Sequence, residues 1–268
     1  MKQAGSRPGF PVRLQPDGGI SYAAKSIVAS ERMSSVTVQK NVPRAIPKLG
    51  SSGLGLDSFA VRASMVHKLA SQGVIDPQVL AAMGKVERHR FVDTALGTQA
   101  YEDTSLPIGL GQTISKPNVV ARMLELLLRG APGKLGRVLE IGTGCGYQAA
   151  LLAEIAREVY SMERLRGLHD KARENLRPFR LSNVHLLFGD GMAGYAKGGP
   201  YAAIISAAGG EALPQTWLDQ LAVGGRLVAP LQAANGLQTL VVIDKTTDGF
   251  RQSLLEAVHF VPLKSGTS

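Results

Sequence analysis

The feature that most constrains the fold of this chain is an alternation of apolar, strand-like runs and helical patterns that begins after Gly136. Alternating β and α segments are typical of a mostly parallel sheet that is covered by helices on both faces, in a doubly wound α/β arrangement. The last two apolar runs have no helix between them, which predicts an antiparallel C-terminal hairpin at one end of the sheet. The predicted strands are 137–142, 158–163, 184–189, 201–207, 225–231, 238–244 and 256–263, and the predicted helices are 147–156, 167–177 and 214–222.

The part of the chain before the sheet differs in character. Residues 1–56 are rich in Gly, Pro, Ser and basic residues and show weak periodicity, which indicates a mostly disordered extension. Helical patterns follow from about Ser58, and Pro117 opens an amphipathic helix that runs through Arg129. The predicted organisation is an extension over 1–56 and one α/β domain over 57–268, divided into helices and a loop over 57–130 and the α/β core over 131–268.

Composition excludes several classes of protein. No run of 18 apolar residues exists, so no membrane span is predicted, and the first residues lack the apolar core of a secretory signal. The single cysteine, Cys145, has no partner for an internal disulfide, which favours a reducing compartment, and we expect a cytoplasmic protein. The histidines show no paired spacing for a metal, so no metal cofactor is expected.

The net charge of +9 could indicate a nucleic-acid partner, but its distribution argues against one. Residues 1–50 carry eight Lys and Arg against two Asp and Glu, a net charge of +6, whereas residues 51–268 carry only +3. Aromatic residues make up 5% of the chain, too few to suggest a stacking surface for bases. We therefore expect no nucleic-acid or membrane partner, and a monomer by default.

The strongest local motif is a glycine turn that joins the first predicted strand of the core to a helix. Gly142, Gly144 and Gly146 give the spacing G-x-G-x-G, and Tyr147 stands where a dinucleotide site would need Gly or Ala. Glu140 precedes the turn, and its carboxylate would repel a pyrophosphate but attract a cation. S-adenosylmethionine (SAM) carries an ammonium and a sulfonium group and no phosphate. The turn therefore favours SAM over a nicotinamide dinucleotide.

Two more acids follow the next strands. Glu163 ends the second core strand, where an acid accepts hydrogen bonds from ribose hydroxyls, and Asp190-Gly191 ends the third, where an acid can accept a hydrogen bond from the adenine amino group. Any one acid at a strand end can simply be solvated, but Glu140, Glu163 and Asp190 together suit a nucleoside with a cationic arm. Cys145 lies in the turn without an obvious histidine partner, so a structural role is favoured over a nucleophilic one.

Residues 60–264 resemble the bacterial type of protein-L-isoaspartate O-methyltransferase. The QTIS loop and the closing FVPL are more discriminating than the glycine turn. The matching segments are AYEDTSLPIGLGQTISKPNVVARMLELL (100–127), RVLEIGTGCGYQAALLA (137–153), VYSMERLRGL (159–168), FGDGMAG (188–194), LPQTWLDQLAVGGRLVAPL (213–231) and LEAVHFVPL (255–263).

The resemblance implies a Rossmann-like SAM-dependent methyltransferase that methylates the free carboxylate of L-isoaspartyl residues in damaged proteins, with D-aspartyl residues as a second candidate. The resulting ester collapses to a succinimide, which can reopen to normal aspartate. Ser115 is implied as the functional serine, and Ser206 and Ala207 as substrate neighbours. The implied cofactor-binding residues are Thr113, Ile114, Glu140, Gly142, Gly144, Gly146, Glu163, Asp190, Gly191 and Gln238.

Several positions depart from the family pattern, and they bear on peptide affinity more than on the cofactor site. They are Cys145 for a serine, Lys116 and Asn118 after the loop serine, Ala202 for an aspartate, and Glu87 in a Val-Pro-Arg segment. Three alternatives stay open at this point: a SAM enzyme that acts on RNA or a small molecule, a nicotinamide oxidoreductase, and an inactive module that binds isoaspartyl sites.

Overall fold

The computed structural model describes residues 59–233 and 235–268, so the predicted extension over 1–56 lies outside the described residues. The helices are α1 Phe59–Ser71, α2 Pro77–Lys85, α3 Pro117–Leu128, α4 Tyr147–Ile155, α5 Arg166–Leu176 and α6 Gln215–Gln220. The strands are β1 Leu106–Gly109, β2 Gln112–Ile114, β3 Leu135–Ile141, β4 Ala156–Glu163, β5 Val184–Phe188, β6 Tyr201–Ser206, β7 Ala208–Gly209, β8 Leu221–Gln232, β9 Gln238–Thr246, β10 Gly249–Val258 and β11 Val261–Pro262.

Seven strands form one central sheet in the order β10-β9-β8-β6-β3-β4-β5. The five strands from β8 to β5 in that order pair in parallel, whereas β9 is antiparallel to both of its neighbours. The chain moves from β3 to β5 in one direction and then returns to place β6 on the other side of β3. The predicted doubly wound, mostly parallel sheet is confirmed, and its topological switch point lies between β3 and β6.

The C-terminal hairpin exists, but its second strand was predicted in the wrong place. The partner of β9 is β10, whereas the predicted run 256–263 supplies only the end of β10 and then β11, which pairs in parallel with β7. The β10 strand lies at the sheet edge and is mostly exposed, so its sequence shows no apolar run. The short β1–β2 hairpin lies within the segment 57–130, for which helices and a loop were predicted, so it was also not predicted as strands.

The N-terminal helices are joined to one another by polar contacts as well as by apolar packing. Asp76 caps α2 by accepting hydrogen bonds from the backbone N–H groups of Gln78 and Val79 at 2.8 and 3.2 Å. Glu125 of α3 accepts hydrogen bonds from the backbone N–H groups of Ile75 and Asp76, at 2.7 and 3.0 Å. This arrangement holds α2 against α3. Across 59–233 and 235–268, none of the helices combines the length and apolar character required to cross a membrane.

Candidate functional site

The glycine turn connects β3 to α4 at the carboxyl edge of the sheet. Gly142, Gly144 and Gly146 have φ values of +88°, +57° and +92°, a region of backbone conformation that strains other residues. A Cβ atom at Gly146 would lie 3.0 Å from the Cδ1 atom of Leu176, so this position also lacks space for a side chain. The sequence Gly-x-Gly-x-Gly therefore follows from the shape of the turn.

A cavity of about 410 Å³ opens above this turn, at the carboxyl ends of β3, β4 and β6. Ligands of open α/β sheets bind at this edge, beside the switch point. Residues 261–264, which were not predicted as site residues, also border the cavity; only the FVPL match pointed to them. Of the predicted site residues, those that line the cavity are Thr113, Gly142, Gly144, Glu163, Gly191 and Ala207.

Glu163 is the carboxylate that the structure places in the wall of this cavity, and its side chain is held in two places. Oε2 accepts a hydrogen bond from the backbone N–H of Gly144 at 2.9 Å, and Oε1 accepts one from Leu165 at 2.9 Å. The residue is only 5% exposed. Each oxygen keeps acceptor capacity for another donor. The carboxylate therefore braces the glycine turn and can also accept hydrogen bonds from a ligand.

Glu140 does not face the cavity, which corrects the prediction that it meets a cationic ligand directly. The residue is completely buried behind the turn, where it accepts a hydrogen bond from the hydroxyl of Ser161. Ser161 is also linked to Thr143 of the turn at 2.7 Å. Burial raises the pKa of Glu140 to about 8, and the charge of Glu163 acts in the same direction, against the hydrogen bond from Ser161. Glu140 therefore reaches the glycine turn only through Ser161.

The carboxylate of Asp190 also accepts hydrogen bonds from backbone groups. Oδ1 accepts a hydrogen bond from the N–H of Met192 at 2.9 Å, and Oδ2 accepts one from Gly266 at 2.7 Å. Gly191 rather than Asp190 lines the cavity. A Cβ atom on Gly191 would lie 2.6 Å from the side chain of Ile141. The carbonyl of Gly191 accepts a hydrogen bond from the indole N–H of Trp217 at 2.8 Å. The cavity wall at this point is a fixed backbone segment that requires glycine.

Ser115 lines a second cavity, of about 280 Å³, that borders the start of α3 and the end of β10. Thr113 lines the first cavity and Ser115 the second, while Ile114 between them is buried. The end of the β1–β2 hairpin thus borders both cavities. The second cavity is also lined by Ser105, Lys116, Val119, His259 and Phe260.

The profile of the family described as protein-L-isoaspartate(D-aspartate) O-methyltransferase matches residues 60–268. The chain belongs to this family. The match includes every strand of the sheet and all the residues that line the two cavities.

Individual relatives agree with this assignment. A protein-L-isoaspartate O-methyltransferase of Methylibium petroleiphilum is 56% identical over 271 residues, covering 98% of this chain and 99% of the relative. One of Leptothrix cholodnii is 61% identical over 221 residues, covering 81% of this chain and 78% of the relative. One of Burkholderia mallei is 48% identical over 275 residues, covering 98% of this chain and 84% of the relative.

Two solved structures share the fold. A protein-L-isoaspartate O-methyltransferase has a TM-score of 0.68 and 26% identity, over 76% of this chain and 66% of that one. A protein from Plasmodium falciparum, described as a protein-L-isoaspartate O-methyltransferase and solved with S-adenosyl-L-homocysteine, has a TM-score of 0.67 and 26% identity. That match covers 76% of this chain and 98% of the Plasmodium chain. The predicted fold class and family resemblance are confirmed.

Two residues that the family pattern suggested have other positions. The side chain of Gln238 accepts a hydrogen bond from the N–H of Phe260 at 2.6 Å and donates one to the Phe260 carbonyl at 3.1 Å. It therefore holds the chain after β10 and does not line the first cavity. Ser206 is fully buried, and its hydroxyl donates to the carbonyl of Ala208 at 2.8 Å. The prediction that these two residues contact a ligand directly is thus corrected. Their polar atoms already bond to the backbone, so both side chains support neighbouring segments instead.

The departures from the family pattern are accommodated locally. Cys145 is buried, and burial raises the pKa of its thiol to about 11, which favours a structural role over a nucleophilic one. The backbone N–H of Asn118 donates a hydrogen bond to Oδ1 of Asp103 at 2.9 Å, which fixes the first turn of α3. The Cβ of Ala202 lies 3.2 Å from where a Cβ on Gly136 would stand, in tight packing between neighbouring strands. In the described part of the chain, no group of three or more His, Cys, Asp or Glu side chains is placed to hold a metal.

Proposed function

We propose that this protein transfers a methyl group from SAM to the free carboxylate of L-isoaspartyl residues, and of D-aspartyl residues, in damaged proteins and peptides. The ester then forms a succinimide, and repair begins. The observation that carries the proposal is the family match over residues 60–268. The Plasmodium relative, solved with S-adenosyl-L-homocysteine, supports the choice of cofactor.

We assign the 410 Å³ cavity to the cofactor, because the groups around it suit a nucleoside without phosphate. Glu163 would accept the ribose hydroxyls, and Gly142 and Gly144 allow close approach of the backbone. Thr113, Gly191 and Ala207 would form the remaining walls, whereas Glu140 and Asp190 would act through the segments that they hold. When bound, SAM supplies the methyl group and a positive sulfonium.

We assign the cavity beside Ser115 to the isoaspartyl residue. Its carboxylate has a pKa near 4 and is already ionised at neutral pH, so the site needs no strong general base. The task of the protein is to fix the angle and distance at which the carboxylate oxygen approaches the methyl group. The hydroxyl of Ser115 would donate a hydrogen bond to the carboxylate. The backbone of β2 and the start of α3 hold this serine in position.

A peptide pair tests the proposal. The protein is incubated with isotopically labelled SAM and two peptides that differ only in Asp against isoAsp at one position. Base-labile label on the isoAsp peptide alone is the expected result. Label on RNA supplied in place of the peptides would instead favour another substrate. Label on neither peptide, while the protein binds S-adenosylhomocysteine, would favour an inactive binding module. Tight binding of NADH without S-adenosylhomocysteine binding would remove the cofactor assignment.

We also propose that the enzyme is a monomer that acts in the cytoplasm and uses no metal. The buried Cys145 is consistent with a reducing compartment. EDTA should leave the methylation rate unchanged, and light scattering should give the mass of one chain. A rate that falls with EDTA and returns with added cation would contradict the metal-free mechanism.

Replacing Glu163 with Gln should weaken binding of S-adenosylhomocysteine about tenfold or more, because hydrogen bonds to a charged group contribute roughly 1.5–3 kcal/mol each. Gln retains one acceptor oxygen, so the variant removes the charge and leaves most of the packing around the turn. Calorimetry measures the dissociation constant. Asp170→Asn, an exposed change on α5, serves as the control. A Glu163→Gln variant that binds as tightly as its control would contradict the ribose assignment.

A further inference from the structure

The most unusual buried side chain outside the two cavities is Arg88, in a short 3-10 helix between α2 and the β1–β2 hairpin. It is 0% exposed. Its Nε donates a hydrogen bond to the carbonyl of Ala100 at 2.8 Å, and its Nη2 donates one to the carbonyl of Ser115 at 2.8 Å, with Thr104 at 3.4 Å. The guanidinium carbon lies 4.9 Å from the centre of the Tyr147 ring. All of these partners are neutral.

No ion pair of the described residues includes Arg88. The adjacent Glu87 pairs with Arg62 and Arg90 instead. Nη1 of Arg88 is buried and has no hydrogen-bond partner. Burial lowers the pKa of the Arg88 guanidinium, and Tyr147 opposes this effect more strongly than Asp103 does. An arginine nevertheless stays protonated in proteins, so a positive charge without a counter-ion lies inside the fold.

Burial of an unpaired cation destabilises a protein, because neutral hydrogen bonds replace only part of its hydration. An anion that is present in the working complex would offset this cost. Arg88 is hydrogen-bonded directly to the peptide of Ser115, which lines the proposed substrate cavity. The group that is anionic in that cavity during the reaction is the carboxylate of the isoaspartyl residue.

We propose that Arg88 is a positioning residue for the substrate: its buried charge attracts the isoaspartyl carboxylate to Ser115, and its hydrogen bonds fix the Ser115 backbone. This inference rests on the proposed function. Lys116 and His259 also line the cavity, but both are exposed, so solvent and salt screen their charges. The field of Arg88 is screened far less, because the residue lies inside the protein.

Three variants separate this role from simple bracing of the loops. Arg88→Gln should lower kcat/KM for the isoAsp peptide about 100-fold, a loss typical of removing one charge from a buried pair. Its dissociation constant for S-adenosylhomocysteine should stay within about threefold of wild type. Arg88→Lys keeps the charge and should retain activity within about tenfold. Arg90→Gln, an exposed neighbour in the same 3-10 helix, is the matched control and should behave as wild type.

A purely structural Arg88 would give a different pattern. Gln and Lys variants would then lose activity equally, and their affinity for S-adenosylhomocysteine would fall in parallel; that result overturns the inference. Failure of the wild-type protein to prefer isoAsp over Asp would instead refute the proposed function. Normal isoAsp activity in Arg88→Gln would refute only the role of Arg88.

A second experiment uses the folded wild-type enzyme, so it holds even where Arg88→Gln does not fold. Acetate should inhibit competitively against the isoAsp peptide, at least tenfold more strongly than neutral acetamide, and should not compete with SAM. The same ratio of acetate to acetamide inhibition should persist in Lys116→Gln, because the exposed lysine is not the main source of the field. Equal inhibition by acetate and acetamide, or loss of the difference in Lys116→Gln, would overturn the assignment to Arg88.

Discussion

Replacing Ser115 with Ala should lower kcat for the isoAsp peptide about 100-fold and leave the affinity for S-adenosylhomocysteine within about threefold, since one donor to a reacting oxygen is typically worth this much. Ser115 lines the cavity that we assign to the substrate, not the cavity that we assign to the cofactor. Its backbone carbonyl remains bonded to Arg88 in the variant, so the loop should keep its position. Single-turnover kinetics with saturating SAM measure the transfer step directly.

Ser105→Ala is the matched control for this variant. Ser105 lines the same cavity and is also a serine, but it precedes β1 and lies outside the QTIS loop. The control should keep transfer within about threefold of wild type. Equal losses in the two variants would show that the cavity needs hydroxyl groups in general. Unchanged transfer in Ser115→Ala would remove this residue from the mechanism.

Much of the fold could be predicted because the core strands are nearly continuous apolar runs. Strands β3 and β6 are almost entirely buried, as parallel strands between two layers of helices must be. Edge strands carry no such signal. The sequence of β10 mixes polar and apolar residues because one edge of the strand and most of its side chains face solvent, and its position therefore emerged only from its pairing with β9.

The parts of the site that depend on local backbone geometry could be predicted from the sequence. The glycine turn needs positive φ angles, and Glu163 is the last residue of a strand that ends at the sheet edge, so both could be located from spacing alone. The sequence could not show which direction a side chain takes at the end of a strand. Glu140 and Gln238 turn away from the cavity and bond to Ser161 and Phe260, respectively.

Arg88 illustrates a further limit of sequence reasoning. The charged sequence of residues Glu87–Arg90 predicts solvated side chains. The other three residues of this stretch are indeed partly or fully exposed, but Arg88 is buried. Only the three-dimensional structure shows that the side chain passes inward to carbonyls 12, 16 and 27 positions along the chain. Contacts at such separations have no local signature, because they depend on how the loop over 100–115 packs against the 3-10 helix.

Replacing the buried Glu140 with Gln should remove a large pH dependence of stability. The pKa of Glu140 is about 8 in the folded protein, against an ordinary value of 4.5. The folded state therefore binds the proton more tightly than the unfolded chain, and this stabilisation is complete below pH 4.5 and is lost as the pH rises through 8. Between pH 5.5 and 7.5 the unfolding free energy of wild type should fall by about 2 kcal/mol relative to the variant, since one pH unit corresponds to about 1.4 kcal/mol.

The comparison is made by urea unfolding of both proteins at several pH values. The contributions of the titratable groups that the two proteins share then cancel in the difference. Glu125→Gln serves as the control, because the pKa of Glu125 is shifted in the opposite direction from that of Glu140. Burial acts to raise the pKa of Glu125, but the N–H groups of Ile75 and Asp76 and the charge of Arg122 outweigh it and lower the pKa. That carboxylate is thus ionised in both states across this pH range, and its variant should differ from wild type by a constant amount. A constant difference for Glu140→Gln as well would mean that Glu140 is already ionised behind the glycine turn at neutral pH, and that its charge, rather than its proton, is what the fold accommodates there.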